Sequence, residues 1–159
     1  MSFKIITDSA CDLSASMLQQ LDVAAVSLTV NFRGQAHKDS VDDAEVKTLY
    51  DAMRSGEVAS TSAANPDDWT QAMAPVLAAG QDALVLAFSS GLSTTYQSAM
   101  IAKSELEEKY PDRVIRVVDT LCASMGEGLL VWYACKERSG GKTVDEVADW
   151  CEENKRNLC

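Results

Sequence analysis

With 159 residues, 47% of them hydrophobic and 24% charged, the chain has the make-up of one folded domain and too little length for two. A formal net charge of −10 argues against nucleic acid, whose binding needs Lys and Arg to neutralise phosphates, and disfavours an anionic membrane surface. No apolar run approaches the ~18 residues of a membrane span.

The first apolar run, residues 3–6 ("FKII"), reads as a strand followed by the polar loop "TDSACDLS" and a helical pattern over 14–21. The start has one lysine and only this short apolar run, which is not the pattern of a signal peptide, so a cytoplasmic protein is expected. Residues 23–32 ("VAAVSLTVNF") read as one second strand, with His37 in the loop after it. Residues 42–56 open on acids and close on Gly56, as helix capping and the helix dipole favour.

A polar loop, "ASTSAANP", then leads into a helix over 65–80 with Pro66 near its start; Pro75 should kink or split it. Residues 83–88 ("ALVLAF") are apolar throughout, as in a strand covered on both faces. The hydroxyl-rich "SSGLSTTYQSA" follows and runs into a helix that ends before Pro111. A fourth strand, 114–118, leads through "DTLCASMGEG" to a helix over 124–141. The last helix opens on a capping-box-like "TVDE" and spans 143–159 without a stop signal. Trp150, Leu158 and Cys159 have no later element to pack on. Alternating strands and helices predict a three-layer α/β/α domain with a mainly parallel sheet of about four to five strands.

In such sheets ligands bind beyond the carboxyl ends of the strands. Three of the hydroxyl-rich loops fall there, and "ASTSAANP" can join the same rim. Helix N-termini with nearby hydroxyls suit one carboxylate or phosphate. The same Ser and Thr residues are also ordinary helix caps and turn formers, and pattern alone leaves both readings open. Catalysis has little support. A serine nucleophile needs a base, and the only histidine is His37, beside no G-x-S-x-G elbow. No nucleotide loop is present. Asp8 and Asp119 with a metal would suit a phosphatase or phosphotransferase, which is the alternative function. The five cysteines form no CxxC pair, predicting reduced thiols that serve mainly as small core residues; no metal site and no cofactor is expected.

The segments "IITDSACDLS", "VSLTVNFRGQAHKDSVDD", "STSAANP", "SSGLSTTYQSA" and "VVDTLCASMGEGLLV" together resemble the DegV family of bacterial fatty-acid-binding proteins, in the family's order and spacing. The resemblance implies a two-domain protein that buries one long-chain fatty acid and presents it to a separate fatty-acid kinase, which makes acyl phosphate for phospholipid synthesis. It also implies that the binding protein is not itself the catalyst. The family's "TSQPS" and "SSGLSGTYQSA" loops hold the carboxylate through a threonine and a serine, which fall on Thr61 and Ser93. Ser62, Thr94, Ser9 and Asp8 are further rim candidates. Two local departures stand out: Ala63, Ala64 and Asn65 replace a more rigid loop, and Thr94 replaces a glycine, so Thr94 is expected to be an ordinary first-turn residue. Length is the larger departure. Residues 1–159 match the family's N-terminal α/β domain, and its C-terminal domain, expected as a partner across an apolar face, is not among them.

Overall fold

The computed structural model describes residues 3–40 and 42–158. Four parallel strands form the central sheet: β1 (Phe3–Asp8), β2 (Val23–Val26), β6 (Asp82–Ala87) and β7 (Ile115–Asp119), in the order β2-β1-β6-β7. The side-chain period of two splits their apolar residues between the faces. Ile5, Leu84, Leu86 and Val118 pack against α1 (Ala15–Gln20), α5 (Ser124–Ser139) and α6 (Val144–Asn154). Ile6, Val85, Ala87 and Ile115 pack against α3 (Pro66–Ala78) and α4 (Thr95–Lys109). Both faces are thus covered by helices, the predicted three layers.

The apolar run 23–32 is not one strand. It leaves the parallel sheet after Val26 and continues as β3 (Thr29–Phe32), the middle strand of a second, antiparallel sheet of three strands. Leu28 fixes the break: its N–H donates to Ser9 Oγ at 3.0 Å and its carbonyl accepts from Asp39 N at 2.7 Å. Arg33 and Gly34 both have positive φ, 52° and 73°, as a tight two-residue hairpin turn requires. The segment expected as a loop therefore folds back as β4 (Gln35–Lys38), which carries His37 on an exposed strand. The loop expected at "ASTSAANP" begins with β5 (Ala59–Ser62) on the other side of β3.

Asp42 caps α2 (Asp43–Arg54), and Asn65 and Asp68 form a capping box on α3. Pro75 does not split α3; it stands in the last turns, where a missing N–H interrupts little of the helix. The capping box predicted at Thr143 and Glu146 is present. The last helix is not left without a partner: α6 packs on β7 and α5, and Trp150 and Leu158 lie partly buried against the first core cluster. Cys11, Cys122, Cys135 and Cys151 are buried, and burial pushes the thiols of Cys11 and Cys151 up to about 12. Cys159 lies outside the described residues. Among those described, no helix is long and apolar enough to cross a membrane.

Candidate functional site

The carboxyl ends of β1, β6 and β7 meet at one rim, and backbone groups hold it together. Asp8 is fully buried, and its carboxylate accepts from Ala10 N at 3.1 Å and from Phe88 N at 2.8 Å. Burial is the main cause that raises its pKa to about 6; the two N–H groups oppose the rise and the charge of Asp39 adds to it. Asp119 accepts from Ser90 N at 3.1 Å and Leu121 N at 3.2 Å. Both acids join strand ends to loops, so the side chains that would have carried a metal-dependent chemistry are turned to the backbone. Among the described residues, no group of three or more His, Cys, Asp or Glu is placed to hold a metal ion.

Within "SSGLSTTYQSA" much of the surplus of hydroxyls is similarly spent. Ser89 Oγ accepts from Gly91 N at 3.2 Å. Ser93 Oγ accepts from Thr95 N at 3.2 Å and lies 2.8 Å from Thr95 Oγ1, so Ser93 caps the start of α4 while remaining half-buried. Thr94 is exposed, with φ −82° and no side-chain cap bond. That is the ordinary backbone expected of it.

A cavity of about 510 Å³ lies between the antiparallel sheet, α2 and the loop after β1. Its polar wall includes Ser9, Asp39 and Thr61; Thr61 stands directly across the β3–β5 ladder from Val30, which also lines it. Val46, Leu49, Tyr50 and Met53 of α2 make an apolar side, and no Lys or Arg is among the lining residues. A second cavity of about 370 Å³ shares Val30, Asp39, Val46 and Leu49 with the first and reaches His37. The polar end of the first cavity therefore offers hydroxyls beside the carboxylates of Asp12 and Asp39, while Lys38 is among the residues lining the second. Ser9 is fixed by donating to Asp39 Oδ2 at 2.7 Å and accepting from Leu28 N.

The structure brings Ser9 and Thr61 to one cavity and places Ser62 beside them on β5, where Asn31 Nδ2 donates to its Oγ at 3.3 Å. Ser93 is not in that lining. Trp69, which the sequence reading passed over, links the two loops: fully buried on α3, it donates from Nε1 to the Thr95 carbonyl at 3.2 Å. A tryptophan three residues after Pro66, in a helix of small apolar residues, was its only signal. Asp39 was also missed as a wall residue, because its role depends on the turn of β4 back towards Ser9.

The family model for the uncharacterised proteins of the DegV family matches residues 2–159. A DegV domain-containing protein of Clostridium perfringens is 44% identical over 158 residues, covering 99% of this chain and 54% of that protein. A solved Thermotoga maritima structure described as revealing fatty acid binding function is 31% identical, with a TM-score of 0.86 over 99% of this chain and 56% of that one. A DegV family protein from Thermus thermophilus, solved for its fatty acid binding, is 30% identical, with a TM-score of 0.84 over 98% of this chain and 54% of that one. The chain spans about half the length of the curated relatives it matches.

Proposed function

The chain belongs to the DegV family, and from that premise we propose that it binds a long-chain fatty acid and presents it, chemically unaltered, to a separate fatty-acid kinase in the cytoplasm. The cavity carries this reading. Its Thr61 and Ser60 hydroxyls can donate to a carboxylate, its α2 side is apolar, and no histidine is among its described lining residues. Thr61 and Ser93 take the carboxylate, with Ser9, Ser62 and Thr94 on the rim and Asp8 beneath it as the tie between strands. Neutral donors suit this task, since they add direction without a buried positive charge. The acyl chain lies along α2, and the family's second domain completes its enclosure. The two solved relatives named for fatty acid binding support the ligand class.

Native mass spectrometry of the purified chain, with lipid extraction, tests the ligand; a co-purified fatty acid is expected. Thr61→Ala and Ser93→Ala test the carboxylate assignment by displacement of a fluorescent fatty acid. Losing a hydrogen bond to a charged group costs about 1.5–3 kcal/mol, or roughly a ten- to hundredfold weaker Kd. Unchanged affinity in both variants would remove Thr61 and Ser93 from the site.

A further inference from the structure

One buried carboxyl takes no part in the rim or the cavity. Glu127, in the first turn of α5, is fully buried. Its Oε1 lies 2.9 Å from Thr7 Oγ1, and its Oε2 has no hydrogen-bond partner. Thr7 Oγ1 also lies 3.0 Å from the carbonyl oxygen of Leu86. A threonine has one hydroxyl hydrogen, and a backbone carbonyl only accepts. Thr7 can donate to only one of the two oxygens at a time, and both hydrogen bonds are made together only when Thr7 donates to Leu86 and a protonated Glu127 donates to Thr7.

The surroundings favour the same form. The titratable groups facing Glu127 are Asp8 at the end of β1, Cys11 in the 3-10 turn after it, and Asp12 beyond. Burial, then the charge of Asp8, and to a lesser degree that of Asp12, hold the Glu127 carboxyl well above the usual glutamate range; the Asp8 backbone N–H opposes them, as does Thr7 when its hydrogen turns from Leu86 to an ionised carboxyl. The junction is also tight and strained. Asp12 and Ser124 have φ of 54° and 55° and are joined by a hydrogen bond from Ser124 Oγ to the Asp12 carboxylate. A Cβ at Gly128 would stand 2.5 Å from the Cys11 carbonyl oxygen, so the loop rests on α5 with no slack. That same loop gives Ser9, Asp12, Leu13 and Ser14 to the cavity wall.

We propose that Glu127 is a proton-operated latch: as the neutral acid it ties α5 to Thr7 and holds residues 9–14 down, and losing its proton to solvent frees them from the cavity wall. The released charge then lies among acids and repels Asp8 and Asp12, which carry the loop. The latch is a property of the chain itself and holds whatever the cavity takes.

Carbon NMR of the chain labelled at glutamate carboxyls tests it. Glu127 should give the resonance of a neutral acid at pH 6, and its ionisation at higher pH should coincide with shifts of the backbone amides of residues 9–14. In E127Q, whose amide donates the same bond to Thr7, those later shifts should vanish, leaving only the step from Asp8 that both proteins share. An ionised Glu127 at pH 6, a Glu127 that stays neutral until the chain unfolds, or amides that move alike in both proteins would each overturn the latch. If E127Q does not fold, the wild-type titration decides alone.

Discussion

Gly128 sets two effects of one methyl group against each other. Alanine is the better helix former by about 1 kcal/mol, and α5 would gain from it. The added carbon, however, would meet the Cys11 carbonyl at 2.5 Å and Leu13 at 3.1 Å, and a backbone atom cannot swing aside as a side-chain end can. Overpacking of that kind costs about 1–3 kcal/mol, so Gly128→Ala should destabilise the protein in urea unfolding despite its helix propensity. Trp69→Phe keeps most of the buried ring but loses the bond to Thr95; a loss of at least about 1 kcal/mol is expected, and an unchanged urea midpoint would show that bond to be idle. Asp8 gives a pH prediction. Its folded pKa of about 6 lies above the ordinary 3.8, so its contribution to stability is fully present below that value and is lost as pH rises through 6. Unfolding midpoints should fall between pH 4 and 6.5, and Asp8→Asn should lessen that fall, leaving the share that comes from Glu127, even though it lowers the baseline.

At the scale of elements, the most informative are those whose ends are written in local chemistry. The boxes at Asn65 and Thr143 need only one polar side chain and one acid three residues on; the one at Thr143 was read from the sequence, and the one at Asn65 came with the structure. Asn65 also stands between Thr61 and Trp69. Asn65→Ala should therefore cost about 0.5–2 kcal/mol, and hydrogen exchange should quicken in β5 and the first turn of α3 while α5 and α6 keep their protection. The antiparallel sheet was the illegible part. Only β3, Thr29–Phe32, alternates polar and apolar residues; β4 is exposed along its whole length and β5 nearly so, and neither carries an apolar pattern. Residues 23–26 are apolar throughout and residues 27–32 alternate polar and apolar, but that change of pattern does not say that one sheet is exchanged for another at Leu28. That point is set by Ser9 and Asp39 from either side, contacts between residues far apart in sequence. The same holds for the site. Ser9 and Thr61, picked out as hydroxyls in two separate loops, line one cavity and Ser93 does not, whereas the α2 wall depends on how a helix lies over a sheet that could not be foreseen.

For the whole molecule the deciding quantity is charge. Acidic residues number 24 against 14 Lys and Arg, so even with every cation paired ten carboxylates remain to repel one another. Opposing this are ion pairs, among them Arg116 with Asp145 and Asp149 at 2.6 and 2.7 Å, and Lys38 with Asp68 at 2.7 Å. These pairs are largely exposed and such contacts are worth about 0–1 kcal/mol each. Salt weakens both terms, but not equally. Paired charges are in contact and feel each other well inside the Debye length, about 10 Å at 0.1 M, whereas the unpaired acids are spread over the surface and interact across longer distances. Screening therefore removes more repulsion than attraction. The thermal midpoint should rise as sodium chloride is raised from about 10 mM to 0.2 M, by the few degrees that correspond to roughly 1 kcal/mol. A midpoint that falls instead would mean that the ion pairs, and the Arg116 fork above all, outweigh the excess of acid.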